Sequence, residues 1–395
     1  MNSSISVPAE RVLEEVKRFA AEEIRPLATD IDVSGVLPRP LIDAMAQRGY
    51  LAASWPEQYG GLGLDPVAYG LFTEQIGKAC SNTRALLTVQ TSLLGETLLR
   101  FGTEEQKRVW LPQMASGAKL GAFALSEPNI GSDAKHVQTA YRKEGSRYVL
   151  NGTKKWISFA GIADFFVVVA SEASGQVTAF IVDREQEGVQ VTPLKGMLGN
   201  RGVHIAEIRL EEVEVPAENI LGNEGGGFTY IVSTALDHGR YSIAWAGTAI
   251  AGEALEAMVA YSRSRTQFGE KLYHFQLVKG MIGDAVTKVH AARALCLAAG
   301  ELRKSGNAEA IHETTIAKYF TSKIAVEVTN DTVQIHGGNG CRNEYPAERL
   351  FREAKVLEII EGTSQIQQQV ISQYGLRKYA VKRDEAQRSN DMSIE

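Results

Sequence analysis

Three regimes of hydrophobic spacing divide the chain. Up to about residue 118, apolar positions recur every three to four residues. Leu13, Val16, Ala20 and Ile24 share one helical face until Arg25-Pro26 stops the run, and Ser6 and Pro8 suit an N-cap and first turn. Leu41, Ile42 and Met45 predict a short amphipathic helix that ends by Gly49. Tyr59-Gly60-Gly61-Leu62-Gly63 lacks the strand and helix flanks of a phosphate-binding turn and reads as a loop. Residues 66–79 and 83–101 predict two more helices, the second apolar nearly all round and therefore buried. Thr103-Glu104-Glu105-Gln106 has the spacing of a capping box.

Near Gly121 the spacing changes. Residues 148–150, 165–170, 177–182, 189–191 and 205–210 are short runs of β-branched and aromatic residues, punctuated by Asn151-Gly152, Ser174-Gly175 and Glu187-Gly188. They predict an antiparallel β domain with the character of a small barrel, left at Pro216 and the glycines of 222–227. From residue 228 to 375 helical spacing returns in long stretches with short connections, predicting a bundle. The expected class is α+β: a helical domain (1–118), a middle β domain (119–224), a helical bundle (225–379) and a polar tail (380–395) expected to be disordered.

Composition narrows the function. The chain has 395 residues, 44% hydrophobic and 23% charged, as an ordinary soluble protein of two or three domains does. Its net charge is −5 and no basic run occurs, so nucleic acid is not an expected partner. No stretch reads as a membrane span of ~20 apolar residues. Glu10, Glu14 and Glu15 interrupt the N-terminus, which does not read as a secretory signal. Cys80, Cys296 and Cys341 are odd in number and scattered; they suit small buried residues in a reducing cytoplasm, not a disulfide framework or metal site.

Five stretches carry unusual chemistry. In Ile359-Ile360-Glu361-Gly362-Thr363-Ser364-Gln365-Ile366, a carboxylate follows an apolar pair that suggests a dry wall. Gly362 allows a positive φ, and Thr363 or Ser364 can cap a following helix. A desolvated carboxylate there would have a raised pKa suited to proton abstraction, although a lone Glu-Gly pair is more commonly a solvated loop acid. Leu125-Ser126-Glu127-Pro128-Asn129-Ile130-Gly131-Ser132-Asp133 is a loop whose backbone N–H groups could hold carbonyls or a phosphate. Trp156 and Ser158 alternate to one face of a strand, either as a core tryptophan or as a plate for a planar heterocycle. Arg265 ends a helix, before Phe268 and Gln276, and suits an anion. Gln334-Ile335-His336-Gly337-Gly338-Asn339-Gly340 lets a backbone or a diphosphate come close.

In this order and spacing, over about residues 8–378, these motifs resemble the acyl-CoA dehydrogenase family. The resemblance implies a helical N-terminal domain, a middle β domain and a C-terminal four-helix bundle, assembled as a homodimer or homotetramer that binds FAD. It implies that Leu125 and Ser126 contact the pyrimidine end of the flavin. Gly131 and Ser132 lie near the cofactor or the pantetheine arm, Trp156 packs on the isoalloxazine, and Ser158 lies near flavin N5. Arg265, Phe268 and Gln276 are implied to hold a neighbouring subunit's FAD; Gln334, Gly337 and Gly338 its diphosphate; Thr363 and Gln365 to close the FAD site. Arg240 is implied beside the thioester carrier, and Glu361, next to Gly362, as the base that removes the α-proton. Some relatives carry the base just before the arginine, where this chain has Gly239.

Two positions depart from the family pattern: Ile360 where Tyr is usual and Cys341 where Tyr ends the glycine motif. Residues 235–245 and 358–362 resemble acyl-carrier-protein dehydrogenases that make hydroxymalonyl or methoxymalonyl polyketide extender units. Thr88 and Gln90 either add polarity to the acyl pocket or are satisfied helix residues. The expected substrate is a small polar acyl thioester on an acyl carrier protein, with an external electron acceptor. A short- or branched-chain acyl-CoA dehydrogenase is the alternative, ahead of a flavin oxidase or monooxygenase on the same fold and a flavin-free helical scaffold.

Overall fold

A computed structural model describes residues 7–380; the expected N-cap at Ser6 and the polar tail beyond residue 380 lie outside it. The first helix spans Val7–Phe19 and continues through wider turns at Ala20–Ile24. Contrary to expectation Arg25-Pro26 does not stop it, because a proline in the first positions of a tight turn (Arg25–Leu27) is tolerated, and the chain runs on as a helix at Ala28–Ser34 until the left-handed Gly35. Pro66–Ala79 forms as expected, with the Asp65 side chain accepting from Ala68 N–H. Residues 81–101 form one buried helical run whose middle, Thr88–Gly95, is a π-helix. Such stretches are rare and concentrate at functional sites. Thr103 and Gln106 complete the capping box, each side chain bonded to the other's backbone N–H.

The middle region is an eight-stranded sheet: β1 (Gly121–Ala124), β2 (Ala140–Glu144), β3 (Arg147–Ile157), β4 (Phe165–Ser171), β5 (Val177–Asp183), β6 (Val189–Pro193), β7 (Ala206–Pro216) and β8 (Ile220–Leu221). The order is β6-β7-β3-β2-β4-β5-β8, with β1 beside β4. Most pairs are antiparallel, but β1 and β2 both run parallel to β4, which corrects the all-antiparallel expectation. The reason is the connection: β1 leaves the helical domain and reaches β4 only after the β2–β3 hairpin has intervened, so the chain re-enters in the same direction. Asn151-Gly152 is not a turn but a bulge inside β3, where Gly152 abuts Thr139 too closely for a Cβ.

Ser233–Ser264, Gln276–Lys304, Ala310–His336 and Ser364–Lys378 form the bundle, with Ala347–Leu357 between the last two. Gly247 lies against the Thr321 backbone, where a Cβ would come within 2.7 Å, so the two longest-packed helices approach to backbone contact there. Contrary to the expectation that nothing approaches a membrane span, the helical stretch Gly227–Ser264 is long and apolar enough by length and composition. Its most apolar window is two-thirds buried within this fold. Cys80 and Cys296 are buried as expected, whereas Cys341 is exposed.

Candidate active site

The chain between the Ala347–Leu357 and Ser364–Lys378 helices turns sharply. Glu361 takes a left-handed φ of 54° and Gly362 one of 89°. A non-glycine residue in that region is uncommon and must be held there by its surroundings. Both carbonyls of the turn are pinned. Glu361 O accepts from Gln367 Nε2 (3.0 Å) and Arg240 Nε (3.3 Å); Gly362 O accepts from Lys318 Nζ (2.7 Å) and Gln367 Nε2 (3.0 Å). Thr363 caps the next helix, its hydroxyl accepting from Ile366 N–H at 3.3 Å. Among the described residues the Glu361 N–H meets no acceptor, so the turn holds its carbonyls inward and leaves that donor free.

The Glu361 carboxylate is desolvated. Its Oε2 is out of contact with solvent and has no hydrogen-bond partner, although part of the residue is exposed. Burial pushes its pKa up to about 7, against the opposing charges of Arg240, Lys318 and Arg84. The dry wall is not the one expected. Ile359 is 55% exposed, and only Ile360 packs into the bundle core. A turn at this point directs the two isoleucines apart, so apolar neighbours in sequence are not neighbours in space. Leu93 from the π-helix and Gly239 close the site instead. A Cβ at Gly239 would overlap Glu361 Oε2 and lie 2.7 Å from its Cδ. The glycine therefore does more than omit a rival acid: it makes room for the base.

A second group of predicted residues meets at the head of the sheet. Lys154, wholly buried, donates to Leu125 O (3.0 Å) and to Glu127 Oε1 (2.7 Å), and Lys155 N–H donates to Ser126 O (2.8 Å). The ion pair thus ties the 125–133 loop to the end of β3. Trp156 and Ser158 do not alternate along a strand. The register slips between Lys154 and Ile157, and Trp156 has a φ of 65°, which turns its ring out at 53% exposure, while Ser158 follows β3 in a turn, half-buried. The core-tryptophan reading is thereby excluded. Gly131 and Ser132 are exposed on the same loop.

The third group lies at the far end of the bundle. Arg265 caps the Ser233–Ser264 helix and, with Gly337, Gly338, His336 and Asn339, lines a cleft of about 370 Å³. The Cα positions of Gly337 and Gly338 face open space. Gln334, Gln276 and Gln365 are exposed, and Phe268 is 95% exposed on a hairpin turn with a φ of 52°. An exposed aromatic plate with a hydroxyl beside it, and an arginine-lined cleft with two bare glycines, fit a flavin ring and a diphosphate respectively.

Sequence reading missed three residues. Lys318 is wholly buried, and burial lowers its pKa to about 8. Arg84 is 2% exposed on the helical run from residue 81. Gln367 pins the turn. The available signal was a charge inside an otherwise apolar helical spacing, as in Thr83-Arg84-Ala85-Leu86-Leu87. Gln90 proves to be a satisfied core residue, both ends of its amide spent on the Gly121 backbone.

The helical domain, through Leu93, and the bundle, through Gly239 and Arg240, meet around a dry, unpaired carboxylate, the arrangement expected of a dehydrogenase of acyl thioesters. The comparisons agree along the whole chain. Family models for the acyl-CoA dehydrogenase N-terminal, middle and C-terminal domains match residues 8–118, 122–213 and 225–376. The chain is 40% identical over 382 residues to a probable acyl-CoA dehydrogenase, YngJ, of Bacillus subtilis, covering 95% of this chain and 100% of that one. Butyryl-CoA dehydrogenase from Megasphaera elsdenii superimposes with a TM-score of 0.91 at 35% identity, over 95% of this chain and 100% of that one. FkbI, an enzyme for biosynthesis of a methoxymalonyl extender unit, superimposes with a TM-score of 0.84 at 31% identity, over 92% of this chain and 99% of that one. This chain belongs to the acyl-CoA dehydrogenase family, an FAD-dependent oxidoreductase family. The extender-unit enzyme is the more distant of the three, so these likenesses back the acyl-CoA alternative better than the carrier-protein expectation.

Proposed function

We propose that this protein desaturates a short acyl-CoA thioester between Cα and Cβ, with Glu361 as the base. The observation that carries the assignment is the buried, partnerless Glu361 Oε2 seated against Gly239. A carboxyl whose pKa lies near 7 is substantially ionised at neutral pH yet still basic enough to take a carbon-bound proton. The free Glu361 N–H suits the thioester carbonyl, where it would stabilise negative charge as the α-proton leaves. Arg240, bonded to Glu361 O, adds a fixed positive charge on the carrier side. Bound FAD would supply the two-electron acceptor for the β-hydrogen. Trp156 and Ser158 would support its ring, Leu125 and Ser126 its pyrimidine edge, and Thr363 and Gln365 its near end.

The Arg265 cleft and exposed Phe268 fit the FAD of a neighbouring copy, which makes the holoenzyme an oligomer with shared sites. Anaerobic mixing with butyryl-CoA, and with butyryl acyl carrier protein in parallel, tests the substrate reading. Bleaching of the flavin by the CoA thioester is expected; bleaching by the carrier-protein thioester alone would return the assignment to the extender-unit type. Sedimentation of a monomer with full FAD content would refute the shared site.

A further inference from the structure

Arg84 is a buried cation without an anion. Its Nη2 donates to Thr88 Oγ1 and to Ser242 Oγ, each at 2.6 Å, and these two hydroxyls lie 3.1 Å apart. Its Nε is buried and makes no hydrogen bond. Among the described residues no carboxylate lies within ion-pair distance of it. The carboxylate whose charge reaches it is Glu361, which lies beyond ion-pair distance and already faces Arg240 and Lys318. Burying a guanidinium against neutral hydroxyls alone is costly, and structural buried charges are normally paired.

Its location is specific. Ser242 follows Gly239 by three residues on one helix, so the two share a face about 4.5 Å apart along the axis. Gly239 abuts the Glu361 carboxylate and Leu93, and Ser242 bonds Arg84. The unpaired guanidinium therefore sits roughly one helical turn from the unpaired base. Arg84, Arg240 and Lys318 surround a single carboxylate, leaving the site with excess positive charge. A butyryl group would place its terminal methyl against that cation and satisfy nothing.

Building on the assignment of Glu361 as the base of an acyl-CoA dehydrogenase, we infer that the acyl group of the substrate ends in a carboxylate, bound by Arg84 with Thr88 and Ser242. The substrate class is a dicarboxylic monothioester with two to four carbons between the thioester carbonyl carbon and the free carboxylate. The bound carboxylate supplies the missing anion, and Thr88 and Ser242 orient it. A neutral chain of equal length leaves Arg84 buried and unpaired, and a site built for a polar group discriminates strongly against an analogue that lacks it.

The test uses FAD-loaded enzyme and an artificial electron acceptor. kcat/KM is measured for succinyl-, glutaryl- and adipyl-CoA, for the ω-methyl ester of each, and for butyryl-CoA. At least one free acid should exceed its own ester by about 10²-fold. In Arg84→Gln that acid-to-ester ratio should collapse towards one, and in Arg84→Lys part of it should survive. FAD content and the unfolding temperature of each variant report whether the fold holds, and the ratio within a variant is independent of the amount of folded enzyme. If butyryl-CoA bleaches the flavin while no free acid exceeds its ester, the inference is wrong and the dehydrogenase assignment stands. If no thioester reduces the flavin, the assignment itself fails and the inference with it.

Discussion

Two buried glutamates in this chain meet opposite fates. Glu127 lies at the head of the sheet, with Lys154 Nζ at 2.7 Å and the Gln138 and Thr139 N–H groups at 2.6 and 2.8 Å. Burial pushes its pKa up, but the Lys154 charge and these hydrogen bonds outweigh it and hold the carboxyl below its ordinary value. Glu361 is also surrounded by cations, yet Arg240 and Lys318 spend their hydrogen bonds on the turn's carbonyls and leave Oε2 bare. There burial wins, and the pKa rises to about 7. What separates a structural carboxylate from a reactive one is where its neighbours' hydrogen bonds end, not how many positive charges are near.

Removing each carboxylate's special feature should break the contrast in different ways. The largest effect belongs to Glu361→Gln, which keeps shape and polarity but takes no proton at neutral pH. Flavin reduction by the preferred thioester should fall by about 10⁴-fold, the upper end for loss of a general base, with FAD still bound. Anaerobic stopped-flow reads this directly, and a variant within about threefold of the parent would mean another group takes the proton.

Next comes Lys154→Met, which leaves Glu127 buried and unpaired. Stability should drop by about 3–5 kcal/mol, and FAD content should fall because Leu125 and Glu127 lose their tie to β3 and only the Lys155 N–H bond to Ser126 O still holds the loop there. Adding Glu127→Gln should recover part of the loss, since no uncompensated charge then remains. Unfolding of the single and double variants checks this; equal instability in both would show that the pair's charge is not the issue.

Gly239→Ala should be milder. The new methyl meets Glu361 Oε2 and Cδ and must displace the carboxylate by a fraction of an ångström to about one. Misplacement on that scale costs about 10²-fold in turnover, with little change in FAD content. A fully active alanine variant would mean that the base does not sit where this contact puts it.

The contrast also explains what could be read from the chain in advance. Helix and strand spacing is local, so Pro66–Ala79, the capping box and the bundle helices were legible residue by residue. The motif around Glu361 was legible as a motif, but its physics was misread. Ile359 and Ile360 looked like the wall because they are adjacent in sequence, while the actual wall, Leu93 and Gly239, comes from elements more than 100 residues away. Trp156 illustrates the same limit: alternation predicts its face only while the strand stays regular, and the bulge at the end of β3 reverses it. Arg84 and Lys318 were invisible because a helical pattern read for its apolar face treats an isolated charge as solvent-facing. Of the two polar residues singled out in that helix, Gln90 is satisfied by the Gly121 backbone, while Thr88 is bonded to Arg84 and Ser242.

Lys318→Met gives the smallest and most diagnostic effect. The lysine does two things at once: its ammonium bonds Gly362 O, and its charge favours the ionised form of Glu361. The two roles predict different pH profiles. kcat/KM follows protonation of the free enzyme, so in the parent it should rise with pH through about 7 as Glu361 deprotonates, then level off. Without the Lys318 charge the buried carboxylate ionises less readily, and the midpoint must move upward. Below that midpoint the variant should be a few-fold to about tenfold slower, since one pH step is a factor of ten where the base is mostly protonated. Well above it the two enzymes should converge, because the carboxylate is then ionised in both. A constant deficit at every pH would instead assign Lys318 to holding the left-handed turn. A midpoint that moved downward would contradict the electrostatic account outright, and with it the reading of Glu361 as a carboxylate kept basic by burial and kept ionisable by its cations.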